Sequence, residues 1–188
     1  YNEQDIMALS ASLIPIESPR DPFWELSTRV YLESLIGYVL ECLPEDEHTM
    51  DTVIRLSREI GTGRLEKLMD ELSLLDPDSF AVRRFTFYRD GKEADRTNAC
   101  VLMFLAEKLA PLDYDGAKAM FHNPDKIDIA RLGREKTAVF LGISDTDRSS
   151  DKLANLFYSQ ALHVLCNEAD QSPGNRLKVP VRFILDDF

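Results

Sequence analysis

Residues 23–43 read FWELSTRVYLESLIGYVLECL, and this stretch decides the fold class of the chain. One stripe of side chains recurs at helical spacing along it, formed by Phe23, Ser27, Val30, Tyr31, Leu35, Tyr38 and Cys42. Apolar residues at 32, 36, 39 and 40 widen the stripe beyond a single face. Because a helix that is apolar around most of its circumference must be contacted from several sides, we predict the central helix of a bundle.

Proline and glycine signals divide the surrounding residues into further helical segments. A short helix is predicted over about 5–14, followed by the proline-rich segment 15–22, in which Asp21 is expected to cap the long helix. Further helices are predicted at about 50–60, 64–75, 79–89, 93–109 and 115–121. We therefore expect residues 1–123 to form an all-α domain with its core at about 21–122.

The pattern changes at Asn123-Pro124. Residues 137–143 read TAVFLGI and residues 181–186 read VRFILD, two short apolar runs that predict buried strands. Between them, Ser150 is expected to cap an amphipathic helix over about 151–169. This order predicts a βαβ crossover with parallel strands. Since two strands alone are marginally stable, residues 124–188 are expected to be part of a larger α/β domain.

The net charge of −11 lies almost entirely in the first part of the chain. Residues 1–80 hold 17 acidic and 6 basic side chains, whereas residues 81–188 hold 16 of each. A negative surface repels nucleic-acid phosphates and attracts basic proteins. The loop Glu45-Asp46-Glu47 is the clearest candidate for binding a basic partner, although a charge run of this size is often only a solvated loop.

A different function is suggested by residues 80–89, which read FAVRRFTFYR. Here Arg83, Arg84 and Arg89 alternate with aromatic rings, a composition that suits stacking and phosphate contact with single-stranded nucleic acid. In the structural alternative the rings pack into the bundle, while the arginines are solvated or pair with the acidic first part.

The remaining reactive residues indicate no other chemistry. Cys42, Cys100 and Cys166 lie in apolar helical stretches without C-x-x-C spacing, which predicts buried free thiols. The three histidines are scattered, which gives little support to a metal site. No apolar run reaches the roughly 20 residues needed to cross a bilayer, so we expect a soluble segment without direct membrane contact.

The strongest chemical signal is the acid pair Asp186-Asp187 after the second apolar run. The carboxyl end of a parallel strand is where α/β sheets bind ligands, and P-loop NTPases place there an acid that holds Mg²⁺ and one that orients water. A charged strand end facing solvent would look the same. The phosphate-binding motif G-x-x-x-x-G-K-[ST] does not occur in the sequence.

Four patches together resemble one family. Residues 179–188, VPVRFILDDF, resemble the Walker B segment of the conjugative type IV secretion coupling proteins, the TraG/TraD-type ATPases. Residues 156–162, LFYSQAL, are similar to the helix preceding that segment. Residues 23–32 resemble the opening of the family's all-α domain, and Tyr1-Asn2 resembles the end of the nucleotide-domain stretch before it.

The resemblance implies a membrane-anchored, hexameric, RecA-like ATPase at the cytoplasmic face of the bacterial plasma membrane. Its all-α domain, inserted between Walker A and Walker B, would receive a relaxase or relaxosome accessory protein, with or without bound DNA, or secreted protein substrates. Asp186 would hold Mg-ATP through Mg²⁺, and Asp187 would be the catalytic acid, a position where the family more often has Glu.

Without Walker A, the isolated chain is expected to bind no cofactor and to be inactive alone. The residues leave two other functions open, a helical module that grips the transferred single-stranded DNA and a structural spacer domain.

Overall fold

The computed structural model describes residues 2–17, 19–59, 62–90, 95–144, 146 and 148–185, without the side chains of residues 95–97 and 149. The predicted nucleotide-site acids Asp186 and Asp187 therefore lie outside the described residues. The chain divides into two compact units, residues 1–122 and residues 123–188. The domain boundary predicted from the sequence lies between residues 123 and 124.

The described part of the first unit consists of seven α-helices. They are α1 (Glu3–Leu13), α2 (Phe23–Cys42), α3 (Met50–Arg58), α4 (Arg64–Leu75), α5 (Phe80–Asp90), α6 (Asp95–Leu109) and α7 (Asp115–Phe121). Short 3-10 turns occur at Glu45–Glu47 and Ala110–Leu112. The prediction of a mainly α fold is confirmed.

Helix α2 is the centre of this unit. It packs against α1, α3, α5 and α6, and Leu32 and Leu35 are completely buried along it. Its tightest approach is to α5 at Gly37, where an added Cβ would lie 2.9 Å from the Phe80 ring and 3.2 Å from the Cα atom of Ala81. A residue without a side chain is therefore required where these two helices cross.

Helix α1 belongs to the same core, which extends beyond the predicted limits of 21–122. Ile6, Leu13 and Ile14 are buried, and the Ser10 hydroxyl donates a hydrogen bond to Glu33 of α2 at 2.7 Å. The predicted cap at Asp21 is wrong. Pro22 occupies the N-cap position of α2 and makes no side-chain hydrogen bond. Asp21 therefore lies one residue before the position from which a side chain caps the helix.

The second unit contains α8 (Ile129–Leu132) and α9 (Asp151–Asp170). Ser150 is the N-cap residue of α9, as predicted, although its side chain makes no capping hydrogen bond. The guanidinium of Arg134, just after α8, holds Glu168 of α9 through two hydrogen bonds of 2.8 and 2.7 Å. A backbone bond of 2.9 Å from Val179 to Gly133 fastens the segment after α9 to the same place.

The two predicted strands are not observed, since residues 137–144 and 180–185 contain no strand in the described part of the chain. Most of their apolar side chains are exposed, to as much as 93% at Phe140 and 81% at Ile184. A strand is defined by hydrogen bonds to a neighbouring strand, and two short segments bury too little surface to form a stable sheet alone. The described residues therefore show the two apolar runs without the predicted βαβ crossover.

Two further sequence expectations can be compared with the structure. The three cysteines are free but exposed, so the prediction of buried thiols is wrong. A place in an apolar helical stretch does not by itself determine whether a side chain points into the core. Among the helices of the described residues, none has the length and apolar character needed to cross a bilayer.

Candidate functional site

The three arginines proposed to contact nucleic acid lie on α5, and each forms an ion pair with a carboxylate. Arg83 pairs with Glu3 of α1 at 2.7 Å, Arg84 pairs with Glu33 of α2, and Arg89 lies 3.3 Å from Asp70 of α4. These carboxylates compete directly with phosphate for the guanidinium groups. The acids come from three different helices, so the pairs also fix α5 within the bundle.

The aromatic rings of the same segment are mostly buried. Phe80, Phe85 and Tyr88 belong to the core, where the ring centroids of Tyr31 and Tyr88 lie 4.5 Å apart. Burial raises the pKa of Tyr88 to about 12, and its hydroxyl donates to Asn98 of α6. Within α5, Phe87 is the ring that faces solvent, with 67% of its surface exposed.

Glu33 is the most deeply buried acid of this network. The side chain is 5% exposed and contacts Arg84, whose side chain is 25% exposed; it also accepts the Ser10 hydroxyl. One carboxylate thus joins α1, α2 and α5. Because a buried charge without its partner is strongly destabilising, this triad contributes to the bundle's geometry whether or not the pair itself is a net source of stability.

The predicted partner-binding loop forms a single 3-10 turn over Glu45–Glu47. Glu45 and Asp46 are exposed, whereas Glu47 pairs with Arg55 of α3 at 2.5 Å. The structure therefore exposes two of the three acids and places the third in a solvent-exposed ion pair with α3.

The connection between α4 and α5 is a second acidic surface, and it lies next to two exposed leucines. Helix α4 ends at Leu75, and Asp76, Pro77 and Asp78 connect it to α5. Leu74 and Leu75 are 87% and 86% exposed, despite their position in the last turn of a helix. No signal in the sequence indicates this exposure, because leucines in a helix are ordinarily expected to be buried, as Leu65 and Met69 are.

The N-terminus of α5, next to this connection, is held by Glu41 of α2. The Glu41 carboxylate accepts hydrogen bonds from the Ser79 hydroxyl at 2.5 Å and from the backbone N–H groups of Phe80 and Ala81 at 3.0 and 3.3 Å. A carboxylate at a helix N-terminus satisfies otherwise unpaired donors and the positive end of the helix dipole. The connection is therefore anchored to α2.

Acidic side chains outnumber basic ones in the first unit, and many of the basic ones are already paired. Residues 1–122 contain 23 acidic and 13 basic side chains, and residues 123–188 contain 10 and 9. Eight of the basic side chains form salt bridges within the described part of the first unit, namely Arg55, Arg58, Arg64, Arg83, Arg84, Arg89, Lys108 and Lys118. The excess charge at its surface is negative.

Lys108 is the most deeply buried of these paired cations. Its side chain is 8% exposed and its Nζ atom lies 2.9 Å from Glu17 in the proline-rich segment. The hydrogen bond to Glu17 raises the pKa of Lys108, although partial burial opposes the shift. Arg29 of α2 holds the end of α1, just before this segment, by donating to the carbonyl oxygen of Ile14 at 2.7 Å.

The segment that leads to the predicted nucleotide-site acids is described up to residue 185. Phe183 lies with its ring centroid 6.5 Å from that of Tyr158 on α9, so the segment leading to Asp186 contacts that helix. The described residues contain no group of three or more histidine, cysteine, aspartate or glutamate side chains that could hold a metal ion.

Together, these features define the chain as a mainly helical, acid-rich protein, in whose first unit at least eight of the thirteen basic side chains form internal salt bridges. The chain belongs to the family described as type IV secretory system conjugative DNA transfer, whose model matches residues 1–188. This confirms the resemblance to conjugative coupling proteins and places the chain in DNA transfer by a type IV secretion system. No curated protein and no solved structure matches the chain.

Proposed function

We propose that this chain is the part of a coupling protein that recruits a relaxase, with or without its bound DNA, or secreted protein substrates to the conjugation channel. In this proposal the first unit is the docking unit. The single observation that carries it is the acidic surface of a unit in which the three arginines of α5 are paired internally. Such a surface attracts basic proteins and repels nucleic acid.

The acids Glu45 and Asp46 are the first candidates for contact, since both are exposed. Glu47 is a weaker candidate because Arg55 already neutralises much of its charge. The internal pairs of Arg83, Arg84 and Arg89 support a structural role for these residues. A phosphate would have to displace Glu3, Glu33 or Asp70 from them.

A grip on single-stranded DNA is the second candidate function. It is favoured by one observation, the exposed ring of Phe87 with the Arg84 guanidinium 5.9 Å from its centroid. An exposed ring beside a cation can stack on a base. A single ring with a paired arginine would give weak, strongly salt-dependent binding.

For the second unit we propose the metal side of an ATP site in the full-length, hexameric, RecA-like ATPase at the cytoplasmic face of the membrane. The exposed apolar runs at 137–143 and 181–185 support this, because neighbouring strands of a larger sheet would cover them. Carboxylate oxygens suit Mg²⁺, so Asp186 would bind the metal of Mg-ATP and Asp187 would be the catalytic acid. The metal would supply charge stabilisation of the phosphates when bound.

The docking proposal is tested by titrating the chain with the cognate relaxase and, separately, with a 30-nucleotide single strand, at several salt concentrations. We expect relaxase binding that weakens with salt, and little DNA binding. Replacing Glu45 and Asp46 by Ser should slow association several-fold, while Glu47→Ser should have a smaller effect. DNA binding tighter than relaxase binding, or the absence of relaxase binding, would reject the docking function.

The nucleotide proposal has a separate test. Because the chain lacks the loop that holds phosphates, we expect no measurable ATP hydrolysis by the chain alone. In the full-length protein, Asp186→Asn should abolish hydrolysis, and Asp187→Asn should reduce it while Mg-ATP remains bound. Full activity of Asp186→Asn would exclude the Walker B role.

A further inference from the structure

The last turn of α4 presents two adjacent leucines to solvent. Leu74 and Leu75 are 87% and 86% exposed, so they contribute almost no buried apolar area to the fold of the first unit. Burying one leucine side chain is favourable by about 1.5–3 kcal/mol. This free energy is not used in folding and is available to a partner that covers the two side chains.

The leucines are presented by a rigid support. The connection after them is held to α2 by Glu41, through Ser79, Phe80 and Ala81. Arg83 of α5 donates to the carbonyl oxygen of Asp78. A partner that binds a surface already held in place does not have to order it first, and this preserves more of the contact free energy as affinity.

The electrostatic field at this tip is negative for three reasons. The C-terminal end of a helix carries partial negative charge, and the last turn of α4 contains no basic residue. The exposed acids Asp76 and Asp78 follow directly. The positive N-terminal end of α5 is already satisfied by Glu41, and the nearby cation Arg83 is paired with Glu3.

We define the acidic apolar end as Leu74, Leu75, Asp76 and Asp78, four consecutive or nearly consecutive exposed residues at the end of α4. It combines an apolar pair with two carboxylates.

We propose that the acidic apolar end is a docking surface for a basic amphipathic segment of a partner protein, in which apolar side chains cover Leu74 and Leu75 and flanking lysines or arginines meet the acids. The proposal rests on the docking function proposed above and names its contact point. Charge complementarity selects this occupant. Another copy of the first unit has the same acidic excess of 23 to 13 and would be repelled.

The test uses a defined probe, a fluorescein-labelled 14-residue peptide of Leu and Lys in amphipathic helical spacing, with a Leu–Glu peptide as its counterpart. Binding to the chain is measured by anisotropy, and the contact is mapped from ¹⁵N amide chemical shifts. We expect binding of the Leu–Lys peptide only, with shifts centred on residues 74–79.

Variants separate the apolar and charged contributions. Leu74→Ser with Leu75→Ser should raise the Kd about tenfold or more, whereas Met103→Ser, which removes a 74% exposed side chain from α6, should change it less than about twofold. Asp76→Asn with Asp78→Asn should raise the Kd several-fold and flatten its salt dependence. The control for charge is Asp115→Asn with Asp125→Asn, two exposed acids elsewhere.

The outcomes are distinguishable. Shifts centred away from the acidic apolar end, equal binding of both peptides, or unchanged affinity of the leucine variant would each overturn the proposal, as would a 30-nucleotide single strand that maps to the same end. If the relaxase binds the parent chain and the leucine variant equally well, the docking function stands and this contact point is wrong. If the peptide maps as expected but no relaxase binds, the contact point stands and the docking function is wrong.

Discussion

The two units of the chain use similar apolar sequence in opposite ways. In the first unit the apolar stripe of α2 is enclosed by four other helices, and Leu32 and Leu35 are completely buried. In the second unit the apolar residues Phe140 and Ile184 are almost fully exposed. An apolar run therefore indicates that a segment needs a partner, but it does not tell whether that partner lies in the same stretch of chain.

The units also differ in charge. The first carries 23 acids and 13 bases, and the second carries 10 and 9. The first unit therefore contains both the larger buried core and nearly all of the excess negative charge. The second unit is nearly neutral and leaves the apolar residues of its two runs largely exposed.

The largest expected effect comes from matched leucine truncations in the two units. Leu35→Ala removes a fully buried side chain and should lower the free energy of unfolding by about 3 kcal/mol. Leu141→Ala, at a half-exposed position in the second unit, should lower it by less than about 1 kcal/mol. Chemical denaturation followed by circular dichroism measures both. Equal losses would break the comparison, since they would show that the second unit is packed as tightly as the first.

A somewhat smaller effect is expected from Glu33. Glu33→Ala leaves Arg84 without its carboxylate, in a partly buried position, and removes the acceptor of Ser10. We expect a loss of about 2–3 kcal/mol in the free energy of unfolding. The control is Glu47→Ala, which breaks the exposed pair with Arg55 and should cost no more than about 1 kcal/mol. If the two substitutions cost the same, the buried triad does not hold α1, α2 and α5 together.

The helices could be predicted because their signals are local. The bounds of α4 and α7 agree with the sequence prediction at 64–75 and 115–121, since stop signals lie next to both helices. Gly63, for example, adopts a left-handed backbone with φ of 72° just before α4. Helix α8 was missed because four residues are too few to show a period. The predicted strands would need neighbouring strands from elsewhere in the sequence, and no local pattern identifies such neighbours.

The site was predicted less well, also because its contacts are distant. The residue types of α5 suggested a nucleic-acid contact, but Arg83 meets Glu3, 80 residues away in sequence. Spacing within α5 cannot reveal that neighbour. Similarly, the exposure of Leu74 and Leu75 follows from the way α4 packs, and their composition alone would suggest burial.

Glycine substitutions test the packing of the two units at close range. Gly37→Ala places a Cβ against the backbone of α5, and the cost of overpacking should exceed the gain in helix propensity by about 1 kcal/mol. Gly133→Ala in the second unit meets the Cδ2 atom of Leu177 at 2.6 Å. This atom ends a flexible side chain that can turn away, so we expect a change below about 0.5 kcal/mol. A greater loss of thermal stability for Gly133→Ala than for Gly37→Ala would contradict this ranking.

The smallest expected effect is the pH dependence of an ion pair in each unit. In the first unit, a hydrogen bond from Lys118 lowers the pKa of Asp113, and Arg58 adds to the effect. Because this pKa is depressed in the folded state, the associated stability is present above the unfolded value of about 3.9 and is lost as the pH falls through the folded value. Asp113→Asn should therefore reduce the free energy of unfolding by up to about 1 kcal/mol at pH 7, and the difference from the parent chain should shrink below about pH 4.

The counterpart in the second unit is Glu168, whose pKa is lowered by the hydrogen bonds from Arg134. Glu168→Gln should show a pH dependence of the same sign, but it should leave the unfolding of the first unit unchanged. Denaturation curves between pH 7 and pH 2, followed separately by amide signals of α2 and α9, measure the two effects. A constant difference between Asp113→Asn and the parent chain over this range would show that Asp113 contributes through its shape and hydrogen bonds and not through its charge. A response of α2 to Glu168→Gln would show that the two units do not unfold independently.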